Sequence, residues 1–298
     1  MTVTIGVHEA NPSLYHLSRL VLLEEALKPL GETVVWLPVG GTRTGDALAD
    51  GTIDFGGTGS TPPLSAQAAG HDLVYAAVSA PRPGHGALLV AADSEIRTVA
   101  DLKGGTVVLA IGSWQTHFTG KALADVGLSY RDDITARRPD GDSAAQLRAG
   151  EITAWVAQGA ELAAARREGG VRTLLEVSEV ITDRSVFFTR RDVAEQRPEL
   201  VAVIVAALRQ ADDWAAGHIA EAAAIAAADQ GGTVEDWSTA LAVLPWTLEP
   251  VSEAFLAEQQ RAADVLADAG FLPRHITVAE AHLPALAPAV RAALGGRA

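Results

Sequence analysis

Hydrophobic and polar residues follow two different periods along the first part of the chain. Short runs alternate between apolar and polar positions, as strands do, and longer stretches place apolar residues three and four positions apart, as helices do. The pattern predicts strands at 2–7, 32–37, 53–56 and 73–78 and helices at 14–27, 44–49 and 61–69. This alternation predicts a largely parallel sheet with helices on both faces, and such sheets bind ligands at the carboxyl ends of their strands.

A second unit begins where Pro81, Pro83 and Gly84 end one strand and redirect the chain. Its predicted strands are 87–91, 107–110 and 153–156, and its predicted helices are 114–126 and 143–149. After a strand at 186–189, the pattern predicts four Ala-rich helices at 198–216, 218–228, 234–244 and 252–269. This order predicts an α/β fold of two discontinuous lobes with a ligand cleft between them, lobe I being 1–82 and 187–298 and lobe II being 83–186.

Composition excludes several classes of function. The chain has 298 residues, of which 48% are hydrophobic, and a formal net charge of -14, which disfavours nucleic acid and anionic membranes as partners. It has no cysteine, so disulfides, thiolate catalysis and thiolate metal sites are excluded. The histidines show no close ligand spacing on one element, and we predict neither a metal site nor a cofactor.

The amino-terminal sequence bears on location. Met1 runs directly into the first predicted strand, with no basic segment and no apolar segment of an export signal. We expect an extracytoplasmic protein if a signal peptide has been removed and a cytoplasmic one if Met1 is the native start. No stretch approaches the roughly 20 apolar residues of a membrane-spanning helix, so no membrane insertion is expected.

Two glycine-containing turns lead into predicted helices, one in each lobe. Gly56, Gly57 and Gly59 precede Ser60-Thr61, and Gly112 precedes Ser113-Trp114. A helix N-terminus carries unpaired N–H groups and partial positive charge, which favour an anion. Two such turns aimed at one cleft predict a cradle for a small anion, although two ordinary strand-to-helix turns would have the same sequence.

Four phrases of the sequence resemble the aliphatic sulfonate, nitrate and taurine family of ABC-transporter substrate-binding proteins. They are LADGTIDFGGTGSTPP at 48–63 with AQAAG at 66–70, VADLKG at 99–104 leading to Gly112-Ser113 and His117, GEITAW at 150–155, and WTLEP at 246–250 with EQQ at 258–260 and GFLP at 270–273. The resemblance spans nearly the whole chain, in order, and is strongest to the sulfonate-binding branch. It implies a periplasmic binding protein type II fold. It also implies a protein that closes around an aliphatic sulfonate and delivers it to an ABC permease.

The resemblance also indicates which side chains contact the ligand. His8 follows the first strand, His117 lies where the sulfonate-binding branch places a histidine, and Arg184 lies near the returning crossover. Trp114 and Trp155 are candidates to contact an apolar tail. The full candidate ligand-binding set is His8, Thr58, Gly59, Ser60, Thr61, Ser113, Trp114, His117, Trp155, Gln158 and Arg184.

Departures from the family leave a second function open. Relatives follow the tryptophan at the Trp155 position with another tryptophan and an Asp-Pro pair, whereas this chain has VAQGAE at 156–161. A desulfinase on the same fold also resembles the chain, but its nucleophile is a cysteine at what looks like the His8 position. The favoured hypothesis is a monomeric binding protein for a small anion. The alternative is a cytoplasmic enzyme that uses His8, Glu9 or His117 for acid–base or desulfinase-like chemistry.

Overall fold

The computed structural model describes residues 2–295 of the chain. Its strands are β1 Thr2–Val7, β2 Thr33–Pro38, β3 Phe55–Thr58, β4 Leu73–Ser79, β5 Gly86–Ala91, β6 Thr106–Val108, β7 Thr135–Arg137, β8 Ala154–Gln158, β9 Val171–Glu176, β10 Val186–Arg190 and β11 Leu248–Pro250. Its α-helices are α1 Pro12–Leu17, α2 Leu22–Leu27, α3 Thr44–Ala49, α4 Thr61–Ala68, α5 Trp114–Ala124, α6 Ser143–Arg148, α7 Gly159–Glu168, α8 Arg191–Gln196, α9 Pro198–Gly217, α10 Ile219–Gln230, α11 Val234–Ala242, α12 Glu253–Asp268 and α13 Ala287–Ala293.

The chain divides into two compact units. Among the described residues, unit 1 consists of 2–80, 184–217 and 245–295, and unit 2 of 81–183 and 218–244. The prediction assigned all of 187–298 to lobe I. In the structure, 218–244 belong to unit 2, because α10 and α11 pack on each other and α11 packs against α7 of unit 2. Met1 and residues 296–298, at the ends of the predicted lobe I, lie outside the described residues.

Unit 1 is built on a six-stranded sheet in the order β11-β4-β10-β3-β1-β2. β1 pairs in parallel with β2 and β3, but β10 runs antiparallel between β3 and β4, and β11 runs antiparallel at the edge. The four strands of the first strand-helix run, β1 to β4, therefore share one direction as expected, and β10 and β11 run against them. The reason is that β10 and β11 enter the sheet from later parts of the chain and not from successive strand-helix repeats.

Helices cover both faces of the unit 1 sheet. The 20-residue helix α9 packs against α1, α2 and α13, and its buried Leu200, Ile204 and Leu208 recur every four residues as on one face of a helix. The other face is covered by α3, α4 and α12, whose apolar residues share a second core with β4 and β10. No helix within 2–295 is both long enough and apolar enough to cross a membrane.

Unit 2 has a five-stranded mixed sheet in the order β7-β6-β8-β5-β9. β6 pairs in parallel with β7 and β8, and β5 pairs antiparallel with β8 and β9. Because β6 and β8 are parallel neighbours, their carboxyl ends lie at the same edge of the sheet. The helices that follow them, α5 and α7, therefore begin side by side.

Some predicted elements differ from the structure. The predicted helix 14–27 is two helices, because Ser18 ends α1 and its hydroxyl donates to the carbonyl oxygen of Tyr15 at 2.7 Å. His16 is buried on α1, and its ring packs against Trp214 and Trp246. The pattern did not predict β7, β9, β11, α7, α8 or α13.

Candidate functional site

In unit 1, the candidate site begins at the turn from β3 to α4. Thr58, Ser60 and Thr61 are all buried, with Ser60 5% exposed and Thr61 fully enclosed. The Thr58 hydroxyl donates to the carbonyl oxygen of Gly59 at 2.8 Å. Gln259 of α12 donates from Nε2 to the carbonyl oxygen of Ser60 at 2.7 Å, which fixes the turn from the other side.

The first turn of α4 offers few backbone donors. Pro62 and Pro63 occupy its second and third positions and lack N–H groups, so Ser60 and Thr61 carry the amides that remain. The Ser60 side chain makes no capping bond. Ser60 Oγ and Thr61 Oγ1 are both buried without a hydrogen-bond partner among the described residues. Buried hydroxyls are normally paired, so these two adjacent unpaired hydroxyls are exceptions among the described residues.

The glycines of β3 have a packing role. A Cβ on Gly57 would lie 2.6 Å from Phe187 and 2.8 Å from Leu14, and a Cβ on Gly56 would lie 2.5 Å from Thr44. None of the three glycines Gly56, Gly57 and Gly59 has a positive φ. Gly56 and Gly57 therefore allow close packing against neighbouring side chains.

His8 and Glu9 follow β1 in unit 1. His8 is half-buried and Glu9 is exposed. The His8 ring packs on Gly41, where an added Cβ would lie 2.7 Å from His8 Nε2. Because Gly41 has no side chain, the His8 ring has space beside it.

Arg184 of unit 1 bonds through Nη1 and Nε to acceptors of its own unit. Its Nη1 donates to Glu249 Oε2 at 2.8 Å and to the Ser79 carbonyl oxygen at 2.7 Å, and its Nε donates to Glu258 at 3.2 Å. Anion binding by Arg184 would have to compete with two carboxylates. The sequence could not indicate this, because Glu249 and Glu258 lie far along the chain.

In unit 2, the turn before α5 is tightly closed. Gly112 has φ 95°, a value that favours glycine, and its amide donates to Thr116 Oγ1 at 2.8 Å. Ser113 caps the helix, because its hydroxyl accepts from the Gln115 amide at 3.2 Å. The amides of Ser113 and Thr116 are bonded within the same turn. Within residues 2–295 this leaves the Trp114 amide as the donor at the start of α5.

His117 lies one turn into α5 and is buried. Its Nδ1 has no hydrogen-bond partner among the described residues. Burial lowers the pKa of His117 to about 4, because removal of water disfavours the charged ring, and the nearby Asp183 charge opposes this only in part. His117 is therefore neutral at pH 7, and one of its ring nitrogens can donate a hydrogen bond while the other can accept one.

Trp114, Gln158 and Trp155 have different roles in unit 2. Trp114 Nε1 donates to Gln158 Oε1 at 2.8 Å, and Gln115 Nε2 donates to the same oxygen at 3.3 Å, which ties the starts of α5 and α7 together. Trp114 packs in the core that contains Phe118, whereas Trp155 packs in a separate core on α6 and α7. The structure does not bring the two tryptophan rings together.

Unit 2 contains a buried charged cluster that the sequence pattern did not predict. Asp183 Oδ2 lies 2.7 Å from Arg82 Nη2 and 2.8 Å from His85 Nδ1, and all three side chains are buried. Burial alone would raise the pKa of Asp183, but Arg82 and His85 outweigh it and hold the pKa at about 2. Burial and the Arg82 charge lower the pKa of His85, so the ring is neutral. In the sequence, Arg82 and His85 lie on either side of the start of the predicted lobe II and Asp183 lies near its end. This placement was the one signal that could have indicated the cluster.

Among the described residues, no group of three or more histidine, aspartate or glutamate side chains is placed to hold a metal ion.

The chain has two sheets of mixed strand direction, and helices begin at the ends of their strands. This arrangement is typical of the solute-binding proteins. Residues 35–222, more than half of the chain, match the model of the NMT1/THI5-like family. The chain belongs to this family.

Several proteins similar to the chain are named for sulfonate binding. The chain is 32% identical over 234 residues to an aliphatic sulfonates-binding protein of Escherichia coli (strain K12), a match that covers 78% of this chain and 73% of that protein. The crystal structure of the periplasmic aliphatic sulphonate binding protein SsuA from Escherichia coli matches with a TM-score of 0.86 and 29% identity, covering 95% and 92% of the two chains. The alkanesulfonate-binding protein SsuA from Xanthomonas axonopodis pv. citri bound to MOPS matches with a TM-score of 0.83 and 31% identity, covering 95% and 98%. The family resemblance and the binding-protein fold predicted from the sequence are confirmed.

Proposed function

We propose that this protein is the substrate-binding component of an ABC importer and that its ligand is a small organic anion of the aliphatic sulfonate class. The observation that carries the proposal is the pair of buried, unpaired hydroxyls of Ser60 and Thr61 at the start of α4. They lie in a chain whose relatives are named for sulfonate binding. Their protons need acceptors, and a sulfonate offers three oxygens.

The proposed site binds the anion with neutral donors. In unit 1 the hydroxyls of Ser60 and Thr61 donate to sulfonate oxygens, aided by the helix dipole of α4. Unit 2 has donors of the same neutral kind, the Trp114 amide and the ring of His117. Oriented neutral donors hold a buried anion without burying a second full charge, whose desolvation is costly.

Arginine has no role in this proposal. Arg82 pairs with Asp183 at 2.7 Å and Arg184 pairs with Glu249 at 2.8 Å, so both guanidinium groups are neutralised by carboxylates. Arg184, a candidate from the sequence, is therefore left out of the ligand set. Trp155 is left out as well, because it packs in the core of unit 2.

The enzymatic alternative is not favoured. The matching relatives with about one third identity are named as binding proteins. Glu9 is exposed, and Cys is missing from the whole sequence. We propose a monomer that delivers its ligand to an ABC permease, without chemistry at the site.

A thermal-shift screen on the full chain tests the function. Alkanesulfonates are compared with sulfate, nitrate and carboxylates at equal concentration. A ligand at 100 times its Kd stabilises the fold by about 2.7 kcal/mol, so a sulfonate is expected to raise the melting temperature by several degrees. If no sulfonate shifts the melting temperature, the proposal is wrong.

A pair of threonine variants tests the site. Thr61→Val removes the hydroxyl and keeps the shape, and we expect sulfonate affinity to fall about tenfold or more. Thr119 of α5 is also buried with an unpaired hydroxyl, but it lies further along its helix, so Thr119→Val is the matched control. Equal effects of the two substitutions on affinity would contradict a ligand contact at Thr61.

A further inference from the structure

Unit 2 contains a cavity of about 340 Å³ between α7 and α11. Its apolar wall includes Leu162 and Ala163 of α7 and Ala240 and Val243 on the side of α11, and Val243 is 46% exposed. The cavity volume lies within the range of about 300–1,000 Å³ that small-molecule sites occupy, and such sites combine an apolar wall with a few polar groups. The proposed sulfonate donors do not line this cavity, so it is a separate candidate site.

The two arginines that line the cavity are already compensated by carboxylates. Arg167 donates from Nε and Nη2 to Asp236, both at 2.9 Å, and Arg166 donates to Glu176 at 2.6 Å. The hydrogen bonds and the charge of Asp236 raise the pKa of Arg167, and the nearby charge of Glu235 adds to this. An anion that entered the cavity would therefore have to compete with carboxylates for both guanidinium groups.

Glu235, in the first turn of α11, also lines the cavity. It is exposed, and its carboxylate forms no hydrogen bond or ion pair with another residue of the described range 2–295. Arg166 and Arg167 are each matched by one carboxylate, so Glu235 gives the lining an excess of negative charge. This excess favours a positively charged occupant.

His85 adds a hydrogen-bond acceptor to the same lining. Its Nδ1 donates to the ionised carboxylate of Asp183 at 2.8 Å, and the ring is neutral, so Nε2 carries a lone pair and no proton. The polar groups that His85 and Glu235 bring to the cavity are therefore acceptors. A ligand that matches them must carry donors.

We propose that this cavity binds a small organic cation, an alkylammonium ion with several carbons, and that this site is distinct from the proposed sulfonate site. The ammonium group pairs with the Glu235 carboxylate, and the hydrocarbon chain covers the apolar wall between α7 and α11. Neutral His85 adds no positive charge that would repel the ligand. The net charge of -14 attracts cations to the protein at longer range. This inference does not depend on the proposed function.

An NMR titration of the full ¹⁵N-labelled chain at pH 7 tests the ligand class. The probes are butylammonium and hexylammonium, with hexanol and hexanoate as the neutral and anionic counterparts of hexylammonium. We expect saturating shifts of α7 and α11 amides with hexylammonium, and affinities for hexanol and hexanoate that are about fivefold or more lower. Hexylammonium should bind more tightly than butylammonium, because each buried methylene adds up to about a fourfold gain.

Three results of this titration would overturn the inference. They are an absence of saturation, saturating shifts centred outside α7 and α11, and binding of hexanoate or hexanol as tight as that of hexylammonium. None of them bears on the proposed function, which the sulfonate screen tests separately.

Two glutamate variants locate the ammonium group. Glu235→Gln keeps the shape of the side chain and removes its charge, and we expect the affinity for hexylammonium to fall about fivefold while sulfonate affinity is unchanged. The control is Glu221→Gln, because Glu221 is also exposed in the first turn of a unit 2 helix, α10, and does not line the cavity. Equal affinities of the two variants for hexylammonium would overturn the inference.

Two alanine variants of α11 locate the hydrocarbon chain. Ala240→Leu fills part of the cavity, whereas Ala242 is exposed and does not line it, so Ala242→Leu is the control. We expect Ala240→Leu to remove most of the gain of hexylammonium over butylammonium and Ala242→Leu to keep this gain. The same gain in both variants would overturn the inference. If Ala240→Leu does not fold, Ala240→Val makes the same test with a smaller side chain.

Discussion

His85 Nδ1 donates to Asp183 Oδ2 over 2.8 Å, although 98 residues separate the two in the sequence. Arg82 binds the same carboxylate oxygen, and the Arg82 amide donates to the Asp183 carbonyl oxygen at 2.9 Å. Since segment 81–183 of unit 2 begins and ends at these residues, the cluster joins the two ends of that segment. Because the cluster is buried, the charges of Arg82 and Asp183 depend on each other for compensation.

Asp183→Asn should destabilise the protein strongly. Removal of one partner from a buried ion pair leaves Arg82 uncompensated and costs about 3–5 kcal/mol. Urea denaturation at pH 7 measures the loss. The control is Asp140→Asn, because Asp140 is exposed and lies 3.5 Å from Arg137, and exposed pairs contribute only about 0–1 kcal/mol. Similar losses of stability in the two variants would contradict the role assigned to the cluster.

The same cluster predicts a loss of stability in acid. The pKa of Asp183 is held at about 2, below its ordinary value near 4. The unfolded chain therefore binds a proton at higher pH than the folded one, and the stabilisation present above pH 4 is lost as the pH falls from about 4 to about 2. Wild type should lose more stability than Asp183→Asn over this range.

Asp212 of α9 predicts the opposite dependence in unit 1. Burial raises the pKa of Asp212 to about 7, and a hydrogen bond from Ser13 opposes this only in part. Between about pH 4 and 7, Asp212 is ionised in the unfolded chain and protonated in the folded chain. The free energy of unfolding therefore falls, as the pH rises, by up to about 1.4 kcal/mol per pH unit.

Asp212→Asn should remove this dependence on pH. The stability of the variant relative to wild type should increase from pH 4 to pH 8 in denaturation experiments. Its neighbour Asp213 is exposed and bonds to Arg209, so Asp213→Asn serves as the control. A difference between Asp212→Asn and wild type that does not change with pH would show that Asp212 titrates normally.

Gly41→Ala tests whether His8 contacts the ligand. The new methyl group would lie 2.7 Å from His8 Nε2, so the ring must move. If His8 is a ligand residue, sulfonate affinity measured by calorimetry should fall about fivefold or more, the loss expected for one hydrogen bond. Gly40→Ala is the control, because its added Cβ would meet no atom within 4 Å. Unchanged affinity in Gly41→Ala would remove His8 from the candidate set.

His117→Ala should weaken sulfonate binding by about 1–3 kcal/mol, because one hydrogen bond to a charged group is lost. His117→Gln restores a neutral donor and should recover part of this loss. The pKa of His117 is about 4 in the free protein, and a bound anion raises it. Sulfonate affinity should therefore increase as the pH falls toward 4, and a decrease in affinity over this range would contradict the role of His117.

The local elements were predictable because their signals are local. The bounds of β1 and α3 agree with the pattern, and α5 starts at Trp114 as its Gly-Ser turn predicts. The antiparallel insertion of β10, the partners of Arg184 and the Asp183 cluster were not predictable from the pattern, because each depends on residues far apart in the sequence. The two prolines of α4 were visible, but the unpaired hydroxyls beside them required the fold.

A crystal structure with bound hexanesulfonate tests the central claim most directly. Sulfonate oxygens are expected within about 3.2 Å of Ser60 Oγ and Thr61 Oγ1. A sulfonate group bound instead at Arg184, or away from the first turn of α4, would contradict it.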